Sequence, residues 1–171
     1  MERFIPGPDT ERQYRDTLGA FATGITVVTV TGPDGPVGMT ANSFASVSLN
    51  PPLVLWSPAR ASGRFEAMTG ADRFAIHVLG AQDQELATRF ACSGLDFTGL
   101  ETETTEGAPP LLAQGWIARF LCRRVAHHDG GDHAIVVGLV EEAARRSGPP
   151  LVFASGNYGA FTPQQKRRAD I

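Results

Sequence analysis

Short apolar runs alternate with clusters of turn-forming residues along the chain, and the period of the runs changes from one to the next. Tyr14, Leu18 and Phe21 recur at i, i+4 and i+7, the spacing of one stripe on a helix. Asp9 or Thr10 can cap that helix and Gly24 can end it. "ITVVTVT" at 25–31 is almost entirely β-branched, which crowds a helix and suits a pleated strand. "GPDG" at 32–35 supplies the turn residues for a hairpin into "VGMTANSF". Pro51 and Pro52 have no N–H for a ladder, so the chain bends there before "LVLWS" resumes as a strand.

"FEAMTGADRFAIHVLG" reads as a short helix, a stop at Gly70 and a strand around Phe74 to Leu79. "AQDQELATRFA" at 81–91 is a further helix with Leu86 and Phe90 four apart on its buried face. Residues 92–110, rich in Gly, Thr and Glu and closed by Pro109-Pro110, form an irregular surface excursion. Two strands, "WIARFLCRRVAHH" and "HAIVVGLVEEAARR", flank the turn "DGGD", and a last strand, "LVFAS", precedes "GNYGAF". Six or seven strands with two or three short helices predict a mainly β antiparallel barrel, not a doubly wound sheet. No repeat, low-complexity tract or linker divides residues 1–171, so one domain is expected.

Composition narrows the class. With 171 residues, 42% hydrophobic and 19% charged, the chain can bury one sizeable core and is not a disordered one. A net charge of −3 gives no footing for nucleic acid, and the Arg pairs at 123–124, 145–146 and 167–168 read as solvated loops and ends. No run reaches the roughly 18–20 apolar residues of a membrane span. The start, "MERFIPGPDTERQYRD", has charges and prolines where a signal peptide needs its apolar core, so a cytoplasmic protein is expected. Cys92 and Cys122 have neither a disulfide framework nor metal-ligand spacing and read as reduced packing residues.

The chemistry concentrates at 37–62, where a mostly apolar β pattern carries Thr40, Asn42, Ser43, Ser46 and Ser48. On one continuous strand, Thr40, Asn42, Phe44 and Ser46 would face one side and Ala41, Ser43, Ala45 and Val47 the other. Neither face is a clean apolar stripe. Small side chains admit a planar ligand close to the backbone, and Asn and Thr offer donors and acceptors to a ring edge. The loop 57–62 adds the Arg60 guanidinium with Ser57 and Ser62, a set suited to a phosphate. Ordinary half-buried strand residues beside a solvated turn would give the same pattern. Elsewhere, His127, His128, Asp129, Asp132 and His133 share one hairpin tip without a ligand from another element, which reads as a polar turn more than a metal site. His77 reads as a hydrogen-bonded barrel residue.

"FATGITVVTV", "GMTANSFASVSLNPPLVL", "FAIHVL", "LATRFA", "GGDHAIVVGLV" and "PLVFASGNYGAF" together resemble the flavin reductase family of FMN-binding split barrels, over about residues 14–161. These are small NAD(P)H:flavin oxidoreductases that serve two-component monooxygenases. The resemblance implies a six-stranded Greek-key split β-barrel acting as a homodimer on FMN or FAD, with NADH or NADPH as co-substrate. It implies that Thr40, Ala41, Asn42, Ser43 and Ser46 line the flavin ring. By the same likeness Ser57, Pro58, Arg60 and Ser62 hold the ribityl-phosphate end, and Phe90 packs near the flavin. His133 and Tyr158 would border the nicotinamide, with His133 positioning it for hydride transfer. A flavin- or haem-carrying barrel without free turnover, and a split barrel acting directly on an organic substrate, stay open as alternatives.

Overall fold

The computed structural model describes residues 1–103 and 107–163. A 3-10 turn at Pro8–Thr10 and helix α1 (Glu11–Gly19) lead into strands β1 (Thr23–Gly24), β2 (Thr26–Gly32), β3 (Gly35–Ala41), β4 (Ala45–Leu49) and β5 (Pro52–Trp56). Helix α2 (Phe65–Gly70), β6 (Arg73–Val78) and helix α3 (Gln84–Cys92) follow. Two short strands, β7 (Thr102–Glu103) and β8 (Leu111–Leu112), precede the long hairpin of β9 (Ala118–Gly130) and β10 (His133–Arg145). The pair β11 (Leu151–Ala154) and β12 (Asn157–Ala160) closes the order.

Seven strands, not the six expected, form one sheet in the order β3-β2-β6-β9-β10-β5-β4, antiparallel at every pairing. No ladder joins the edges β3 and β4 among the described residues, so the barrel is not closed. In a flat sheet these edges would lie roughly 29 Å apart. Yet β3 ends at Ala41 and β4 begins at Ala45, and a link that short spans at most about 14 Å. The sheet must therefore curl until its two edges face each other across a seam at residues 40–46.

The curl explains the apolar pattern. Val28 and Val30 of β2 join Val37, Met39, Val54, Trp56, Phe74, Ile76 and Val136 in an inner cluster. Val27, on the opposite face of β2, joins Ile25, Leu79, Phe90, Leu112 and Leu151 in a second cluster beneath α3. A strand buried on both faces reads as a continuous apolar run, as "ITVVTV" does. Its two buried threonines are paired, Thr26 Oγ1 donating to the Ala41 carbonyl at 2.7 Å and Thr29 Oγ1 to that of Pro110 at 2.6 Å.

Other expectations need correction. Helix α1 stops at Gly19, while Gly24 belongs to β1. Its predicted stripe is not buried: Tyr14 is 43%, Leu18 56% and Phe21 79% exposed. Cys122 packs in the inner cluster, but Cys92, at the end of α3, is exposed. "GNYGAF" contains a strand, β12, in a three-stranded sheet ordered β1-β11-β12. The 92–110 excursion is anchored by β7 pairing with β8. The Arg pair at 167–168 lies outside the described residues.

Candidate active site

The continuous strand expected through "TANSF" breaks at the seam. Ala41 is the last residue of β3, so the predicted alternation of Thr40, Asn42, Phe44 and Ser46 does not hold. On β3, Val37 and Met39 face the inner cluster, while Gly38 and Thr40 face α3. The Thr40 hydroxyl donates to the Ala87 carbonyl of that helix at 2.7 Å. Beyond Ala41, Asn42 is exposed and Phe44 turns inward to stack on Phe120, ring centroids 5.7 Å apart. Between them Ser43 is a tie: its hydroxyl donates to the Ser57 carbonyl at 3.1 Å and accepts the Ser57 N–H at 2.9 Å. Ser46 is exposed on β4, opposite Val54.

The loop that begins at Ser57 docks on the tip of the β9–β10 hairpin. The Ala134 N–H donates to the Pro58 carbonyl at 3.1 Å and the Arg60 N–H to the Asp132 carbonyl at 2.8 Å, flanking a bridge between Ala59 and His133. Arg60 adds Nε to the Gly131 carbonyl at 3.0 Å and Nη2 to Asp129 Oδ1 at 2.7 Å, with its guanidinium 5.3 Å from the Phe65 ring centre. The Ser62 hydroxyl accepts the Arg64 N–H at 3.3 Å. His133 Nδ1 lies 2.8 Å from Asp132 Oδ1. These contacts hold both carboxyls below the usual range, Asp129 through its hydrogen bond and charge pairing with Arg60, and Asp132 through the His133 ring.

Ser43, Ser57, Pro58, Arg60 and His133 are thus linked within one region through hydrogen bonds and the Ala59–His133 bridge, and Ser62 joins them through its N–H to the Ala59 carbonyl at 3.1 Å. Asn42 precedes Ser43 in the chain, while Ser46 lies further along on β4. Phe90 is not part of this region. Its ring has no exposed surface, packs under Gly38 and meets Phe97 edge-on at 4.9 Å, so it has no face left for a ligand. Tyr158 packs on Phe153 at 5.2 Å in the second cluster, on a different sheet from His133. A cleft of about 440 Å³ between α3, Gly99–Glu101 and Gln114–Gly115 shares no residue with the seam.

The supports of this region carry no local sequence signal. Arg64 donates through Nη1 to the carbonyls of Phe90 at 2.6 Å and Gly38 at 3.1 Å, capping the end of α3 while bracing β3. Partial burial lowers its pKa. Asp129 sits in a polar turn, and its partner Arg60 is 69 residues away, so no local spacing marks the pair.

The model of the flavin reductase like domain matches residues 18–162. The chain is 53% identical over 161 residues to FMN reductase (NADH) SmoA of Agrobacterium fabrum, spanning 94% of this chain and 92% of that one. It is 37% identical over 158 residues to the flavin-dependent monooxygenase reductase subunit HsaB of Mycobacterium tuberculosis, spanning 90% and 84%. The solved structure of the Streptomyces globisporus NADH:FAD oxidoreductase SgcE6 superposes with a TM-score of 0.85 at 36% identity, covering 96% of this chain and all of that one. A likeness that runs through the seam, the loop and the hairpin tip alike leaves one assignment: the chain belongs to the flavin reductase family.

Proposed function

We propose that this protein is an NADH-dependent flavin reductase, one domain over residues 1–171, which reduces FMN or FAD and hands the reduced flavin to a partner monooxygenase in the cytoplasm. The observation that carries the reading is the seam. Two sheet edges face each other there without a ladder among the described residues, so the edge backbone groups not already engaged, as the Gly38 N–H and the Gly38 and Ala41 carbonyls are, are available to the polar edge of a planar ring. The side chains along it are short, and Asn42 and Ser46 are exposed. Such a surface fits a flavin ring approaching the backbone closely.

When bound, the flavin supplies the hydride acceptor and the nicotinamide the donor. The chain's own residues bind and align them. Backbone N–H groups of 40–46 favour negative charge on the ring edge they face. Arg60, with Ser57 and Ser62, offers a cation and hydroxyls to the phosphate. His133, its Nδ1–H held by Asp132, presents its other ring edge at the hairpin tip. Alignment of two bound reactants contributes several kcal/mol to the rate, which suits a site that does little acid–base work.

The protein acts as a homodimer in this reading. Helix α1 has nine residues and none is buried, and a helix so short is marginal in water unless something packs on it.

A steady-state assay crossing FMN and FAD with NADH and NADPH tests the proposal. The expected outcome is many turnovers of free flavin, with NADH giving the higher kcat/KM. A single stoichiometric bleaching without turnover would indicate a flavin-carrying module instead, and no bleaching of either flavin would end the proposal.

A further inference from the structure

The hairpin tip does more than cover the 57–62 loop. A guanidinium has five N–H donors in a fixed plane and two edges that can grip an oxyanion bidentately. In Arg60 one of those edges is already committed, Nε to the Gly131 carbonyl at 3.0 Å and Nη2 to Asp129 Oδ1 at 2.7 Å. One face lies over Phe65 at 5.3 Å, and the residue's own N–H is fixed to the Asp132 carbonyl at 2.8 Å. Among the described residues no hydrogen bond uses Nη1. The side chain is therefore held at its base, on one face and on one edge, with the Nη1 donors unused by any described residue.

We infer that Asp129 is a positioning residue for the phosphate of the flavin: it locks one edge of Arg60 so that the Nη1 end is pre-set to receive the oxyanion. The inference rests on the proposed placing of the phosphate at 57–62. Its physical content is entropic. A free arginine must give up much of its rotamer freedom to grip a phosphate, whereas one already braced has given it up during folding. Asp129 also keeps its charge throughout the working pH range, because Arg60 holds its pKa down. A carboxylate that merely masked Arg60 would act in the opposite direction and compete with the phosphate.

Riboflavin and FMN differ only in the phosphate, so their affinities measured by fluorescence titration of the whole protein separate the cases. Wild type is expected to prefer FMN. Asp129→Asn should weaken FMN binding up to about fivefold, the scale of an exposed ion pair, and leave riboflavin unchanged, while Asp129→Glu should recover part of the loss. Arg60→Gln should remove most of the preference, and adding Asp129→Asn to it should cost nothing more, since the two act as one unit. FMN binding that is unchanged or tighter in Asp129→Asn, with Arg60→Gln still losing the preference, overturns the inference alone. A preference that survives Arg60→Gln takes the phosphate away from this loop, and both readings fall together.

Discussion

His77 lies on β6 with no exposed surface, between two backbone groups that decide its chemistry. The Leu112 N–H donates to Nε2 at 3.0 Å, so that nitrogen carries no proton, and Nδ1 donates to the Val27 carbonyl at 3.1 Å. The neutral ring thus ties the start of the long hairpin's approach, at β8, to β2. Burial pushes its pKa from 6.5 down to about 3, with the Arg119 charge adding to the effect and the Val27 carbonyl opposing it. The unfolded chain takes up a proton below about 6.5 and the folded chain does not. The stability linked to this ring is therefore complete above pH 6.5 and is lost as pH falls toward 3, at up to about 1.4 kcal/mol per pH unit. Glutamine offers the same donor and acceptor but no titration. In urea unfolding between about pH 6 and 4, His77→Gln should lose stability less steeply than wild type by about 1 kcal/mol per unit. Parallel slopes would place the acid sensitivity on another group.

Between elements, the critical contact is α3 on β3. A Cβ at Gly38 would lie 2.4 Å from two carbons of the Phe90 ring. Gly38→Ala must push the helix or the strand away, at a cost of about 1–3 kcal/mol for overpacking. Because Thr40 hooks the same helix one step nearer the seam, the variant should also lose flavin affinity. Gly138→Ala is the control: its Cβ would lie 2.5 Å from Phe74, inside the barrel. It should destabilise comparably in thermal unfolding and leave flavin binding alone. Equal binding losses in both would mean that affinity follows general stability, not the β3–α3 contact. Which elements were legible follows from the same physics. The hairpins β2–β3 and β9–β10 announce themselves locally, through the turn residues "GPDG" and "DGGD" between strand-length runs. The break after Ala41 does not, because "TANSFASVS" has small side chains on both faces, and β3 ends there only because its continuation belongs to the opposite edge of a curled sheet. Strand β12 has four residues, one of them glycine, and exists by pairing with β11. Helical spacing marks Phe90 as buried but not which layer it fills; the family resemblance implies a place near the flavin, whereas its ring fills the space that Gly38 leaves in the core.

At the scale of the whole molecule, α1 is the element that contacts among the described residues do not explain. It is fastened at its C-terminal end, where the Ser155 N–H donates to the Gly19 carbonyl at 2.7 Å, and its apolar stripe faces outward. Full burial of a leucine or phenylalanine side chain contributes about 1.5–3 kcal/mol. Leu18 and Phe21 are more than half exposed, so much of that is still to be gained by covering them. A second copy related by a two-fold axis would cover both stripes at once, since each contact in such an interface occurs twice. The same symmetry doubles the effect of a substitution. In the proposed dimer, Leu18→Glu combined with Phe21→Glu would place four carboxylates in the shared interface and should leave a monomer in sedimentation equilibrium at micromolar concentration. The helical signal should fall with dissociation, because α1 would lose the proposed cover, while the seven-stranded sheet, whose two clusters lie within one chain, should unfold at nearly its former temperature. A wild-type chain that sediments as a monomer with α1 still protected from proteolysis would rule out the second copy as that cover.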